Sequence, residues 1–232
     1  MKLGIMQPYF FPYIGYWQLM NAVDKYVIYD DVNFIKGGWI NRNRILMNGE
    51  AKMINLKMNG ASPNKFINEV EVSGDTIYNK KFLRTIKSCY KKAPYFSDAY
   101  PVIERIITQD EKKLAQYLEY SIRQICGYLS INTELIVSSS ISKNNDLKGK
   151  DKVIEICKIL GADEYYNTIG GQELYSYSHF DTHGIKLSFF RTGTVEYQQF
   201  NNEFIPNLSI LDILMFNSIE DIKKMLYIYE LL

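Results

Sequence analysis

Met6-Gln7-Pro8-Tyr9-Phe10-Phe11-Pro12-Tyr13-Ile14-Gly15-Tyr16 sets two prolines and a glycine between a strand-like start and a helix-like continuation. Residues 2–6 are short and largely apolar, as a buried strand requires, while Pro12 brings the fixed φ of a first helical turn that residues 13–22 can continue. Strand, tight loop and helix in that order place the loop at the carboxyl edge of an open α/β sheet. Ligands bind at that edge, and free backbone N–H groups there can hold an anion. Gln7, Tyr9, Phe11 and Gly15 are expected to line the mouth, with Tyr16 as a further stacking ring. The competing reading is a buried proline-bracketed turn whose aromatics fill the core.

The segments downstream repeat the pattern. Asp24-Lys25-Tyr26-Val27-Ile28-Tyr29-Asp30-Asp31 is a β-rich run that stops at two carboxylates, and Lys36, Asn41, Arg42 and Arg44 follow at once. Asp30 or Asp31 could accept a proton there, since burial beside a like charge tunes a carboxyl toward general-base work. Adjacent strand residues face opposite ways, so one of the two faces a pocket, and Asp30 is preferred; turn-capping by both is the alternative. Arg42 and Arg44, two residues apart on a strand, share a face and suit a pair of phosphates, or else guard an exposed strand edge. Residues 45–58 alternate as strands around the hairpin turn Asn48-Gly49.

Residues 79–93 and 110–129 carry helical apolar stripes, and Pro101 can open a third helix running to Ile107. Together, residues 79–130 read as a helical insertion within one α/β domain spanning 1–232. The second half returns to alternation. Residues 135–137 form a strand ending in Ser138-Ser139-Ser140, 150–160 a helix, and 164–167 the next strand, which is a parallel βαβ crossover. Ser138 and Asn167 then fall on the same edge as Gln7, and Gly170-Gly171 lets the backbone approach a ligand. Residues 185–190 and 195–199 read as further strands. Ser209 is a helix N-cap and Asp212 lies in the favourable first turn; both are secondary site candidates. Residues 219–232 close the core.

The expected architecture is therefore α/β: a mostly parallel sheet with flanking helices, an antiparallel hairpin and an inserted helical cluster. A chain of 232 residues with 47% hydrophobic content can bury a full core. No apolar run reaches the roughly 18 residues that cross a bilayer, and no signal peptide is visible, which makes the cytoplasm the default location. A net charge of +1 without a basic stripe argues against nucleic acid as a partner. Cys89, Cys126 and Cys157 are spaced as reduced core thiols. His179 and His183 stand four apart without a third ligand, so no metal site is read here.

The chain resembles the WbqC-like family, proteins encoded in bacterial gene clusters for O-antigen and other surface polysaccharides. The resemblance rests on residues 7–16, Asp30-Asp31-Val32, Asn41-Arg42-Asn43-Arg44-Ile45, Tyr165-Tyr166-Asn167 with Gly170-Gly171-Gln172-Glu173-Leu174-Tyr175, and residues 204–212. Where many members carry a histidine, this chain has Met6. The resemblance implies a transferase that places an acyl or aminoacyl group, glycyl included, on an amino sugar, with a small-molecule nucleotide sugar as partner. A fainter likeness to nucleotidyltransferase folds lies in Phe11-Pro12-Tyr13-Ile14-Gly15-Tyr16, where Tyr16 replaces a phosphate-binding histidine. That likeness admits ATP, magnesium and amino-acid activation, though no cofactor motif demands them. A non-catalytic glycan- or nucleotide-sugar-binding module is the reading from a different class. Oligomeric state is not legible.

Overall fold

The computed structural model describes residues 1–201 and 203–232. The chain begins with β1 (Lys2–Met6), α1 (Ile14–Asn21) and β2 (Lys25–Ile28), then forms the hairpin β3 (Arg42–Met47) and β4 (Glu50–Asn55). A small pair, β5 (Met58–Asn59) and β6 (Glu71–Val72), precedes the helices α2 (Thr76–Tyr90), α3 (Phe96–Ile107) and α4 (Leu114–Leu129). Then follow β7 (Glu134–Val137), α5 (Gly149–Leu160), β8 (Glu164–Thr168), α6 (Tyr177–Asp181) and β9 (Lys186–Thr192). The last elements are α7 (Ile210–Phe216), α8 (Ile219–Met225) and β10 (Tyr229–Leu231).

The central sheet runs β10-β9-β8-β1-β2-β7, parallel throughout except for β10. Its strands are short, and their residues alternate between two apolar layers, as period-2 geometry requires. Leu3, Ile5, Val27, Tyr165, Leu187 and Phe189 face the layer covered by α5 and α6. Tyr26, Ile28, Tyr166 and Phe190 face the larger layer that also holds α1, the three middle helices and α7. The consecutive pair Tyr165-Tyr166 thus serves opposite cores. Gly15 at the start of α1 is required by contact: a Cβ there would lie 2.2 Å from Thr192 Oγ1 and 2.4 Å from the Tyr13 hydroxyl.

The fold class is as expected, and several boundaries differ for physical reasons. The hairpin is a separate two-stranded sheet and not an extension of the central one. Its turn matches the sequence: Asn48 and Gly49 both adopt positive φ, 53° and 76°, as a type I′ turn needs. The helix expected over 79–93 starts at Thr76, because Asp75 accepts a bond from the Tyr78 N–H at 2.9 Å, and it stops at Tyr90. Residues 110–113 are not helical; backbone bonds Val72 N to Lys112 O and Leu114 N to Val70 O spend that stretch as a companion to β6.

Pro101 does not open its helix but lies inside α3, five residues past the start. The loss of one backbone bond is offset by the buried stripe Ala99, Ile103, Ile106 and Ile107. Residues 195–199 are not a strand. Their alternation is real, but it aims Tyr197 and Gln199 at a buried carboxylate instead of pairing a ladder. The carboxyl terminus closes the core through α8 and then adds β10 as an antiparallel edge. Among the described residues no helix is long and apolar enough to cross a membrane.

Candidate functional site

The loop after β1 is held by other elements through its own carbonyls. Phe11 sits at φ 44°, a left-handed value that a bulky residue keeps only when its surroundings enforce it. Asn43 Nδ2 donates to the carbonyls of Phe10 (3.3 Å) and Phe11 (2.8 Å), and Ser209 Oγ donates to Phe11 O at 2.7 Å. Pro12 O accepts from the Trp17 indole at 3.1 Å and from Ile210 N at 3.0 Å. Hairpin and α7 therefore fix the loop's path. The same bonds give Ser209 a structural post, capping Leu211 N at 3.2 Å while tethering the loop.

Two cavities open beside this loop, and Tyr9 is a wall of both. The first, about 270 Å³, lies over the carboxyl ends of β1 and β8 and is lined by Gln7, Tyr9, Tyr29, Asn167, Gly170, Gly171 and Tyr175. It is thus a topological edge site of the expected kind. The second, about 350 Å³, is lined by Tyr9, Pro12, Tyr13, Trp39, Asn43, Arg44 and Asn207. Ile35 edges the first and Trp39 the second, so the segment between β2 and β3 flanks both.

Of the residues singled out from sequence, Gln7, Tyr9, Asn167, Gly170 and Gly171 meet in the first cavity, and Arg44 enters the second. Phe11, Gly15 and Tyr16 do not line the mouth: all are buried in the larger core, where the Tyr16 hydroxyl donates to Gln7 O at 3.2 Å. The correction has a simple cause. Phe11 at positive φ breaks the alternation of the loop, so Phe10 and Phe11 both turn inward while Tyr9 faces the cavities. Asn41 pairs its amide and backbone with Leu56 across the hairpin. Arg42 donates to the carbonyls of Gly37 and, at 3.0 Å, Gly38, which organises the loop instead of presenting an open cation. Lys36 is exposed on that loop.

The carboxylates are engaged in the fold. Asp30 accepts from Ser139 N (2.9 Å) and Ser139 Oγ (2.6 Å), with Asn68 Nδ2 at 3.4 Å, which ties the ends of β2 and β7 together. Asp31 Oδ2 lies 2.8 Å from Lys143 Nζ and 3.0 Å from Lys152 Nζ, and both ammonium groups are buried. Burial pushes the Asp31 carboxyl up, but Lys143, Ser138 and Lys152 outweigh it and hold the group below the usual carboxylate range. Lys152 also donates to Asp31 O at 2.9 Å and stands 5.4 Å over the Tyr29 ring, a wall of the first cavity. Neither aspartate lines either cavity. Asp212 lies in the first turn of its helix as expected and is fully buried, and burial drives its carboxyl upward against bonds from Tyr90, Tyr197 and Gln199.

Lys143 and Lys152, which hold Asp31, and Tyr13, Trp39 and Asn43, which line the second cavity, are not among the site candidates that the sequence offers. Asn43 was the most legible, since period 2 turns it opposite to Arg42 and Arg44 and hence inward. Lys143 and Lys152 lie more than 100 residues from Asp31, and nothing local marks them. The histidines stand apart from both cavities: His179 Nε2 is 3.4 Å from Asp151 Oδ1, and His183 Nδ1 is 3.0 Å from Lys158 Nζ. Burial pushes the thiols of Cys126 and Cys157 up to about 12, so both are inert core groups.

Gly171 makes a sharp test of the first cavity. A Cβ there would fall 2.5 Å from Asn167 Nδ2, whose Oδ1 accepts from Thr168 N at 2.7 Å. Gly171→Ala is expected to leave the melting temperature within a few degrees while turning the Asn167 amide out of place. Ligand affinity should fall about tenfold by titration calorimetry, the cost of one misdirected polar contact; unchanged affinity would remove Asn167 from the site.

An α/β protein with a composite cleft at the carboxyl edge of its parallel sheet is the class these features define. The model of the WbqC-like protein family matches residues 7–224, and the chain belongs to that family. It is 28% identical over 218 residues to a protein of Mycobacterium tuberculosis (strain ATCC 25618 / H37Rv) described as uncharacterized protein Rv1507c, covering 92% of each chain. No solved structure matches this chain.

Proposed function

We propose that this protein is a transferase that adds an acyl or aminoacyl group, glycyl among them, to a nucleotide-linked amino sugar during surface polysaccharide synthesis. The observation that carries this reading is the shared wall: Tyr9 stands between a sheet-edge cavity, where Gln7, Asn167 and the Gly170-Gly171 turn set polar groups among apolar and tyrosine walls, and a second cavity that holds Arg44 and Trp39. A nucleotide sugar likewise joins a hydroxyl-bearing ring to an anionic, aromatic remainder. Gln7, Asn167 and the Gly170-Gly171 backbone suit the sugar by hydrogen bonding, and Tyr9 offers it a ring face. In the transfer, the sugar nitrogen attacks the donor's carbonyl carbon. The C–N bond forms, the bond to the donor's leaving group breaks, and the nitrogen's proton passes to a base.

Asp30 and Asp31, the carboxylates that sequence offers for that base, are both engaged in hydrogen bonds or ion pairs outside the cavities. That observation favours the second reading, recognition of a nucleotide sugar without catalysis. Thermal stability measured against nucleoside-diphosphate amino sugars, ATP and free amino acids separates the readings. A ligand at 100 times its dissociation constant adds about 2.7 kcal/mol and should raise the midpoint by about 5–10 °C. A shift with an amino-sugar nucleotide, together with mass gain on the sugar when an acyl donor is supplied, supports the transferase. The shift without transfer supports the binding module. A shift with ATP and amino acid alone moves the protein to amino-acid activation.

A further inference from the structure

We infer that the cavity between Tyr13, Trp39 and Arg44 is the nucleoside-diphosphate subsite, with Trp39 the platform for the base and Arg44 the anchor for the phosphates. The inference rests on the nucleotide-sugar reading above and adds to it the place and the means of recognition.

Arg44 differs from the ion-paired arginines, and also from Arg84 and Arg105, which lack a carboxylate partner among the described residues but are exposed on helices, because it lines a cavity. Arg123 and Arg191 are paired with Glu119 and Glu230, and Arg42 gives two bonds to loop carbonyls. Arg44 makes a single bond, from Nη2 to Asn207 O at 3.3 Å, and among the described residues no carboxylate lies within ion-pair distance of it. Its Nε is buried with no partner. A half-buried guanidinium with uncommitted donors and no counter-ion favours an anion, and its planar fork suits the oxygens of a phosphate.

The surroundings specify what the anion is attached to. The Arg44 guanidinium carbon lies 5.8 Å from the Trp39 ring centre, and Trp39 keeps 41% of its surface exposed although it borders the cavity. Leaving a tryptophan this open forgoes burial that the fold could use, and a planar ligand recovers it. Tyr13 and Pro12 complete apolar walls that a bare phosphate does not need. The segment carrying Trp39 is braced from behind by Arg42 and by the Phe10 N–H bond to Trp39 O at 3.2 Å, so the ring is presented by an ordered loop. The volume, about 350 Å³, is that of a small-molecule site, and Tyr9 connects it to the sugar cavity.

Trp39 also supplies the measurement, because the chain has two tryptophans and the other, Trp17, is fully buried. Titration with UDP, uridine and inorganic pyrophosphate is followed by tryptophan emission and by calorimetry, in the wild type, Trp39→Ala, Trp39→Phe and Arg44→Ala. The proposal expects UDP to bind and quench emission, and uridine and pyrophosphate each to bind at least about tenfold more weakly. Trp39→Ala should lose both the quench and about tenfold in affinity, with Trp39→Phe restoring most of the affinity, as base stacking on an aromatic ring does. Trp39 is a loop residue whose backbone carbonyl accepts from Phe10 N, a bond that both substitutions keep, and an unchanged circular dichroism spectrum confirms that the variant is intact. If UDP binds without quench and Trp39→Ala binds equally well, the subsite is elsewhere while the nucleotide-sugar reading stands. If neither UDP nor any UDP- or dTDP-linked sugar binds, both fail.

Discussion

Replacing Asp31 with asparagine is expected to destabilise the protein by about 3–5 kcal/mol, the usual cost of leaving a buried charge without its partner. Lys143 and Lys152 are nearly inaccessible, at 1% and 7% side-chain exposure, and both ammonium groups converge on one oxygen of this carboxylate. Asparagine keeps the shape and removes the charge. The melting temperature should fall by about 10 °C or more for a domain of this size. Acid should act through the same group. Because the native carboxyl is held below its ordinary range, its stabilisation is fully present above the ordinary aspartate value and is lost as pH falls through the lowered native value. The wild type should therefore lose stability below about pH 4 along a slope that Asp31→Asn lacks. Equal slopes in urea melts at successive pH values would show that the cluster does not titrate with folding. Since the variant is destabilised, any transfer assay on it has to be run well below its midpoint.

Asp212→Ala should be of similar size by a different mechanism. The carboxylate accepts from the Tyr90 hydroxyl at 2.7 Å, the Tyr197 hydroxyl at 2.8 Å and Gln199 Nε2 at 2.7 Å. Tyr90 in turn accepts from Leu46 N at 2.9 Å, so one side chain joins α2, β3, α7 and the 195–199 segment. Alanine removes the acceptor of the Tyr90 and Tyr197 hydroxyls and of one Gln199 N–H, the other remaining with Ile205 O, at a cost of about 4 kcal/mol when such donors go unmet. Asp212→Asn should recover part of this, because its amide oxygen still accepts. Amide exchange should accelerate first at Leu46 and Ile205, whose N–H groups are held by Tyr90 and Gln199. The pH effect runs opposite to that of Asp31. With the native carboxyl raised, the folded state keeps its proton longer, and stability falls as pH climbs from the ordinary aspartate value to the raised one. Uniform exchange across the chain would show that Asp212 is not a hub.

The strand-loop-helix unit was legible from Pro12 and the apolar stretches because local propensity and the buried pattern agree there. The hairpin was legible from Asn48-Gly49 for the same reason. Gln7, Tyr9, Asn167 and the glycine pair were legible as neighbours because each lies at or just past the carboxyl end of a strand, and parallel strands bring all such ends to one edge. What stayed hidden depends on distance along the chain. Pro101 reads as a helix start when only its φ is considered, yet the buried stripe of α3 carries it inside. Tyr197 and Gln199 alternate like a strand, and only Asp212 shows that side chains and not backbone use that alternation. Asp31 looks like a free base until Lys143 and Lys152 arrive from beyond residue 140.

The position of β1 bears on how the chain is made. It comes first in the chain among the sheet's strands, yet it lies inside the sheet between β2 and β8, and β8 begins at Glu164. Until β8 has been synthesised, one edge of β1 lacks the strand it pairs with in the finished sheet. The order of translation thus exposes Leu3, Ile5 and their unpaired amides to neighbours on the same polysome, a setting in which open strands pair with the wrong copy. Growing chains that end before β8 should need chaperone protection that the finished molecule does not.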